Sequence, residues 1–383
     1  MDVKYLRLQA LLYLVVSIPA QAEMSGYVKS LWLETKTVIG DEQPASLGVN
    51  RWRLNWRDSF KGVNLLVSYD LEWRTGSYIN TEQNQLYQSL TPEQYWTMNK
   101  RWHQRKNEQG EHGFYRAYMQ VPLGALDIRL GRQQLNWSRT FLWSSFDRFN
   151  PQNPLQIETD ERIGVDALQL IWNFDNGNTL EWVKLPAQSD NKARWGIRYR
   201  TRYQEVDIDL LRADFGEVDT LGLAAVGRWK NAGWGVEFTH NQQDANEMIE
   251  SRNNSYVDFV FSIDYSFATE THLVTEFLYR GSGASSTVEY DWLALIAGQR
   301  TDLAKRYLGL SLRQGFQAIA ALELTFLYNH DDHSSAWVPA VRYSPGNYQD
   351  LHFRIGIQLF QGKKDTEFGR QNTTGFVEAQ WFY

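Results

Sequence analysis

Apolar and polar residues alternate along much of this chain, and one stretch in its first half shows the pattern well. Leu126, Ile128 and Leu130 are separated by Asp127 and Arg129. A period of two is the side-chain repeat of an extended strand, which then has one apolar and one charged face. The same pattern recurs at 257–267 and 351–359. Such strands suit a soluble sheet with a core on one side, or a barrel that stands in a bilayer with water inside.

Eighteen strands of this kind are predicted, and the connections between them differ systematically in length. If the first strand runs outward, the links at one end are all short: SFKG, PLG, FDNGN, YQ, NAG, ATE, GFQ and SPGN. The alternate links include four long ones, 75–111, 136–162, 242–253 and 281–304. Short periplasmic turns, long extracellular loops and an even strand number are typical of outer-membrane barrels. We therefore predict an all-β fold, a closed transmembrane antiparallel β-barrel of about 18 strands. The alternative is 16, if the weak strands near 179–187 and 335–343 are miscounted.

The beginning of the chain has the features of a secretory signal peptide. Residues 1–22 combine a charged start (Lys4 and Arg7), an apolar run and a small-residue A-x-A ending. This segment is too short for a stop-transfer helix, so we exclude it from the fold. The prediction is a leader that is cleaved during export through the inner membrane, followed by a single barrel domain at 23–383 in the cell outer membrane.

Composition removes several other classes of protein. The 383 residues include no cysteine, which excludes disulfides and thiolate metal sites. The formal net charge of −6 at pH 7 argues against nucleic acid as a partner. No window approaches the ~18 apolar residues that a spanning helix needs. The 16 Trp, 20 Tyr and 19 Phe suit carbohydrate-binding domains or outer-membrane barrels, in which aromatic rings gather at the bilayer interfaces. No cofactor is predicted.

The stretch 112–172 carries a family resemblance. It reads HGFYRAYMQV, a PLG turn, DIRLGRQQLNW, a loop with two Asn-Pro steps, and DERIGVDALQLIW. This order resembles Gram-negative porin-like outer-membrane barrels, and it is similar to the alginate-export barrels and allied families. Ser138 stands where those families often have glycine. The resemblance implies a channel or export conduit in the outer membrane. Outer-membrane lipid, lipopolysaccharide and the barrel-insertion machinery are then the expected partners.

A charged hairpin at 193–215 is the clearest candidate for the channel lining. Its arginines share one face, and a turn centred between Tyr203 and Gln204 pairs Arg202 with Glu205, Arg200 with Asp207, and Arg198 with Asp209. The pattern suits a cross-strand ladder of ion pairs inside the barrel. It also suits a basic stripe that guides anions through a pore.

A second basic face lies on the second predicted strand, and Asp70 and Glu72 on the next strand are placed to neutralise part of it. Together with single charges on other strands, these positions form the predicted channel lining. It comprises Arg51, Arg53, Arg57, Asp70, Arg116, Asp127, Arg129, Arg194, Arg198, Arg200, Arg202, Asp207, Asp209 and Arg354.

The connection 136–162, after the fifth predicted strand, is expected to fold into the barrel and narrow it. It holds four large aromatic side chains, too many for a loop that lies free in water. Its Asn-Pro steps stiffen it. The alternative is an outward cap packed on neighbouring loops. The charges predicted at the constriction are Arg139, Asp147, Arg148, Asp160, Glu161 and Arg162.

Two outer connections carry further candidate chemistry. The run His330-Asp331-Asp332-His333 suggests a divalent metal site or the His and Asp of a hydrolase, although polar loops contain such runs by chance. The apolar run 292–297 suggests a strand tip or a small loop helix, and Tyr290 with Trp292 suggests a carbohydrate platform or simple packing.

Three functions are compatible with these patterns. We favour a channel for passive diffusion or export of small polar or charged solutes or of a polysaccharide. A structural or assembly barrel that works with a partner is the alternative. An outer-membrane hydrolase is less favoured because the sequence shows no nucleophile elbow, and we therefore predict no enzyme activity.

Overall fold

The computed structural model describes residues 22–383 except 41, 91–93, 152, 159–161, 188–191, 244–254 and 297–299. Several predictions lie outside the described residues. These are the leader apart from Ala22, the acidic residues Asp160 and Glu161, and most of the connection 242–253.

The described chain is built almost entirely of strands. They are β1 Glu23–Lys36, β2 Pro44–Phe60, β3 Val63–Thr75, β4 Asn99–Arg105, β5 Glu108–Leu123, β6 Leu126–Gln133, β7 Val165–Asn173, β8 Thr179–Leu185, β9 Arg194–Tyr203, β10 Val206–Asp214, β11 Val218–Trp229, β12 Ala232–Gln243, β13 Ser255–Ser266, β14 Thr271–Arg280, β15 Arg306–Phe316, β16 Ala320–Asn329, β17 Ser334–Tyr343, β18 Leu351–Gln361 and β19 Thr374–Phe382. Two short α-helices, α1 Glu82–Leu90 and α2 Trp292–Ile296, and 3-10 turns at Ser77–Asn80 and Thr287–Glu289 lie between strands.

The strands close into a ring. Apart from β4, each strand pairs antiparallel with its neighbours in the chain, and β1 pairs with β19 from Tyr27 opposite Phe382 to Glu34 opposite Gly375. One edge of β5 pairs with β3, and its other edge pairs first with β4 and then with β6. Eighteen strands therefore form the ring, and β4 fills the wall beyond the end of β6. The predicted closed antiparallel barrel of 18 strands is confirmed, and the short β4 was missed.

The two faces of the wall have opposite polarity. Outward side chains such as Phe261 and Ile355 are apolar and exposed. Inward side chains such as Asp209, Glu237 and Asp258 are charged and fully buried. This is the reverse of a soluble protein, and it is the arrangement of a barrel that presents an apolar band to lipid. Among the described residues, no helix has the length and apolar character to span a bilayer.

The two ends of the barrel differ as predicted. At the end that we call the turn end, strands are joined by short connections such as 61–62, 204–205 and 230–231. At the opposite end, the loop end, long connections cover 76–107, 134–164 and 281–305. Two loop-end connections, 215–217 and 330–333, are nevertheless short.

The predicted register of the β9–β10 hairpin is wrong by two residues. Tyr203 pairs with Val206, so Arg202 faces Asp207 and Arg200 faces Asp209. The turn occupies 204–205, with Gln204 at a φ of 54°. Such a left-handed turn is usually signalled by Gly, Asn or Asp, and the sequence offers none here. The inward face keeps its members because the error is an even number of residues.

Ile355 tests the assignment of the two faces. It pairs with Val341 and Val377 on the outward surface and is 57% exposed. Ile355→Arg should lower the free energy of unfolding in lipid vesicles by about 2–4 kcal/mol, because an arginine near the bilayer midplane faces hydrocarbon. Urea titration followed by tryptophan fluorescence measures the change. Val288→Arg, at a fully exposed loop-end position, should be neutral. If Ile355→Arg and Val288→Arg unfold with the same free energy, the assignment of outward and inward faces is wrong.

Candidate functional site

The connection between β6 and β7, residues 134–164, crosses the interior of the ring, and we call it the inward loop. Its polar contacts reach strands on several sides of the barrel. Trp137 Nε1 donates to Glu181 on β8, Arg139 binds Asp209 on β10, Arg148 binds Asp258 on β13, Glu158 binds Lys29 on β1 and Arg51 on β2, and the carbonyl of Ile157 accepts from Arg354 on β18. A segment with partners around the ring must lie inside it, not on top of one side.

Two buried glutamates on the wall hold the backbone of the inward loop. Glu237 on β12 accepts hydrogen bonds from the backbone N–H groups of Arg139, Ser145 and Phe146 at 2.5, 2.6 and 3.2 Å. Glu276 on β14 accepts those of Phe141, Leu142 and Trp143 at 2.5, 2.9 and 3.1 Å. Both carboxyl side chains are fully buried. Charge-assisted bonds of this kind are about twice as strong as neutral ones, so these two residues fix the path of 139–146.

Apolar patches on the inner wall receive the side chains of the inward loop. Trp137, Phe146 and Phe149 pack on a cluster that includes Val183, Leu211 and Ala213. Leu142 and Trp143 pack on a second cluster with Val260, Leu278 and Tyr307, and Leu155 and Ile157 pack on a third with Leu31, Val49 and Phe376. Inward glycines make room for this contact. A Cβ at Gly196 would lie 2.8 Å from the ring of Trp137, and one at Gly309 would lie 2.5 Å from Leu142.

The predicted constriction charges within the described residues are all in ion pairs. Arg139 binds Asp209 through two hydrogen bonds of 2.6 and 2.8 Å, Arg148 binds Asp258 at 2.5 Å, and Arg162 binds Asp147 within the loop itself. Burial raises the pKa of Asp147 to about 6, against the opposing charge of Arg162. These charges therefore hold the loop in place.

The predicted channel-lining residues all fall on the inward face by strand alternation. Many are paired: Arg51 with Glu72 and Glu158, Arg53 with Asp70, Arg198 with Glu181, Arg200 with Asp209, Arg202 with Asp207, and Arg354 with Glu323. A cross-strand ladder of ion pairs is therefore present, but Arg202 pairs with Asp207 and not with Glu205, and Arg200 pairs with Asp209 and not with Asp207. In the part of the chain that the structure describes, Arg57, Arg116, Arg129, Arg194 and Asp127 have no oppositely charged partner.

A polar cavity of about 350 Å³ lies between the inner wall and the inward loop, and we call it the arginine–glutamine cavity. Its lining includes Arg116, Arg129, Gln133, Gln169, Glu181 and Arg198 from β5 to β9, and Asn136 from the loop. Four buried polar atoms of this lining lack a hydrogen-bond partner among the residues that the structure describes. They are Nε of Arg116 and Arg129, and Oε1 of Gln133 and Gln169. Unsatisfied buried groups are costly and rare in native proteins. Donors and acceptors are therefore both available here to a polar solute.

Sequence reasoning missed several residues of this site. Glu237, Glu276 and Glu181 carry much of it, and each stands at an inward position of an alternating strand. The alternation of apolar and polar residues was enough to predict that these three side chains face inward. Their partners on the inward loop are 44 to 135 residues away in sequence, and no local pattern indicates such pairs.

The His330-Asp331-Asp332-His333 turn has a structural role at the loop end. Asp331 accepts hydrogen bonds from the backbone of Lys305 and Arg306, and Asp332 accepts from Tyr290 and the backbone of Glu367. Across the described ranges, no group of three or more His, Asp or Glu is arranged to hold a metal ion. The apolar run after Tyr290 is the short helix α2, one of the two predicted alternatives.

Glu367, between β18 and β19, joins this loop-end network. It accepts hydrogen bonds from Tyr307 Oη at 2.5 Å, Asn329 Nδ2 at 2.7 Å and the backbone of Leu303 at 3.2 Å. Burial raises the pKa of Glu367 to about 8. The hydrogen bond from Tyr307 opposes this shift, and the negative charges of Asp302 and Asp332 reinforce it. The carboxyl group is therefore mainly protonated at neutral pH.

Comparison with known proteins finds relatives only at the level of structure. No protein-family model matches the chain, and none of the curated proteins matches it. OccK8 (OprE) of Pseudomonas aeruginosa has a similar structure, with a TM-score of 0.60 and 9% identity over 95% of this chain and 98% of that one. OccAB4 of Acinetobacter baumannii has a TM-score of 0.61 and 7% identity over 95% of this chain and 99% of that one. The Pseudomonas aeruginosa OpdK structure with vanillate has a TM-score of 0.56 and 10% identity over 95% of this chain and 98% of that one. The fold is thus that of porin-like outer-membrane barrels, and these structures belong to the Occ group of such proteins.

Glu237→Gln tests the anchoring of the inward loop. The amide presents one oxygen in place of two and sets an N–H group against N–H donors. We expect the free energy of unfolding to fall by about 1–3 kcal/mol and the amides of 139–146 to exchange hydrogen faster. Glu323→Gln is the matched control, since Glu323 binds Arg342 and Arg354 and not the loop backbone. Similar exchange at 139–146 in wild type and Glu237→Gln would show that the anchor lies elsewhere.

Glu367 predicts a pH dependence of stability. The pKa of Glu367 in the folded protein, about 8, exceeds its ordinary value of 4.5. The contribution of this group to the free energy of unfolding is therefore full below pH 4.5 and is lost as the pH rises through about 8. The urea midpoint of wild type should therefore fall between pH 6 and 9. Glu367→Gln should lose this component, whereas substitution of the exposed Glu289 by Gln should keep it. A midpoint in Glu367→Gln that still falls as in wild type would assign the effect to another group.

Proposed function

We propose that this protein is an outer-membrane channel for the passive diffusion of small polar or charged solutes. In this proposal the inward loop is the constriction, and the arginine–glutamine cavity beside it is a solute-binding site. The observation that carries the proposal is the set of four unpartnered buried polar atoms in that cavity. Each such atom costs stability unless water or a solute satisfies it, so their concentration in one cavity favours a site that binds a polar solute.

The inward face supports a passage up to the constriction. Towards the turn end, the inward charges Arg57, Arg202 and Arg313 are exposed, and Asp207 is partly exposed. Towards the loop end, inward groups such as Asp258 and Asn329 are fully buried under loops. A wide charged vestibule that leads to a narrow region suits selective diffusion, since fixed wall charges act most strongly where the passage is narrow.

The cavity favours a solute that has an acidic group as well as hydrogen-bond donors. Among the described residues, Arg116 and Arg129 offer guanidinium donors without a carboxylate partner, and arginine suits planar carboxylate or phosphate groups. Gln133 and Gln169 offer acceptors for hydroxyl or ammonium groups. The similar OpdK structure holds vanillate, which agrees with a small organic solute. The alginate-export resemblance of 112–172 belongs to the same proposal, but a cavity of about 350 Å³ favours a small molecule over a polymer chain.

The proposal also covers the export of the chain, its assembly in the outer membrane and its lack of catalytic activity. The leader 1–22 directs export and is cleaved, and 23–383 forms one barrel that the insertion machinery assembles among outer-membrane lipid and lipopolysaccharide. We infer no catalytic activity, because Asp331 and Asp332 of the one acid-base run are engaged by backbone and side-chain donors.

Ion conduction in planar bilayers tests the proposed channel. Wild type should conduct, and Arg116→Gln combined with Arg129→Gln should lower the permeability of chloride relative to potassium by about two-fold or more, since wall charges near a constriction set selectivity. The reversal potential in a potassium chloride gradient measures this ratio. Arg212→Gln, on the outward face, removes one charge from an exposed ion pair with Asp219 and should change nothing. A silent wild-type barrel would reject the channel, and an unchanged ratio would remove the two arginines from its pathway.

A further inference from the structure

The outward face of β4 differs from the rest of the wall. Nearly every side chain of this strand is exposed, and its residues Asn99 to Arg105 read NKRWHQR. A shift in register between Arg101 and His103 places Trp102 and His103 on the same face. The ring centroid of Trp73 on β3 lies 5.3 Å from that of Trp102 and 4.8 Å from that of His103. Because Trp73 points outward, this aromatic cluster belongs to the outer surface of the barrel.

Basic side chains surround the aromatic cluster. By strand alternation Lys100 and Arg105 share the outward face, and Lys106 follows at the turn to β5. All three are exposed, and among the described residues none has a carboxylate partner. The one acidic group on this face among the described residues, Glu108, lies 3.3 Å from His103. The patch of Lys100, Trp102, His103, Arg105 and Lys106, which we call the β4 patch, therefore carries net positive charge.

The β4 patch lies at the upper edge of the lipid-facing band. Outward positions of β3 run Leu65, Val67, Tyr69, Leu71 and Trp73 from the turn end to the loop end. Through β5, Leu71 is level with Lys100, and Thr75 is level with Arg105. The apolar column thus ends at the tryptophans. Arg105 and Lys106 lie beyond it, and Lys100 lies near its upper edge, level with Leu71. Tryptophan at the membrane interface with lysine or arginine above it places the positive charges among lipid head groups.

We infer that the β4 patch binds the phosphorylated head group of an outer-leaflet glycolipid of the lipid A type. The inference rests on the proposed location in the outer membrane, with the loop end facing outward. Arg105 and the two lysines supply charge-assisted hydrogen bonds to phosphate oxygens. Trp102 offers a flat, half-exposed ring to the sugar or to the start of an acyl chain. A lipid satisfies both features together, whereas free phosphate would use the charges alone.

Native mass spectrometry of the detergent-purified full chain, titrated with bisphosphorylated lipid A, tests the site. Lys100→Gln combined with Arg105→Gln should weaken binding by about ten-fold or more, since each basic group near a lipid surface contributes a several-fold factor. Lys363→Gln combined with Lys364→Gln is the matched control, because it removes two exposed charges at the same end. This control should bind within about two-fold of wild type. Removal of both phosphates from the lipid should reduce wild-type binding to the level of the β4 variant.

Each contrary result has a clear meaning. Equal binding by the β4 variant and wild type, or no effect of removing the phosphates, would overturn the site. Loss of lipid binding on addition of millimolar inorganic phosphate would show that the patch recognises the free anion, and would also overturn a lipid site. The conductance of the β4 variant should match wild type, because the patch faces away from the lumen. A barrel that binds lipid A but does not conduct would reject the proposed channel and leave this inference standing.

Discussion

The hydrogen bonds from the inward-loop backbone to Glu237 and Glu276 are the interaction on which the interior depends. A buried carboxylate without partners is strongly unfavourable, and so is a buried backbone N–H group. The wall supplies only acceptors at these two points, and the loop supplies only donors. Neither part is satisfied without the other. The apolar patches under Trp137 and Trp143 add to the same mutual dependence, because without the loop they would face water.

The fold was largely predictable because a lipid-facing wall imposes one simple rule on every strand. Outward positions within the lipid-facing band must be apolar, so the period of two persists for 18 strands and gives both their number and their faces. The rule does not hold along β4, because Lys100 lies near the upper edge of the apolar band and Arg105 lies beyond it. Its sequence therefore carries no alternation, and the strand was missed for the same physical reason that the others were found.

The interior was predictable only in part. Alternation identifies which charges face inward, and the aromatic content of 136–162 indicates a loop that packs on something. The hydrogen-bond partners across the lumen could not be predicted, because contacts such as that between Glu276 and Phe141 form only once the ring closes. The register of the β9–β10 hairpin was predicted wrongly because of its turn. A two-residue turn with Gln204 at positive φ has no sequence signal, so Arg200 was placed opposite Asp207 and not Asp209.

Ion pairing separates the inward arginines into two groups with different physical roles. Arg198, which forms part of the basic stripe in the sequence, is paired with Glu181, and Arg200 shares the carboxylate of Asp209 with Arg139. The two carboxylates cancel two of these three positive charges, so the field of the cluster at a distance is much weaker than that of three free arginines. Arg116 and Arg129 have no such partner among the described residues, so their full charge acts on the cavity beside the inward loop. The density of arginine along a strand is therefore a poor guide to selectivity, and the absence of a nearby carboxylate is the better one.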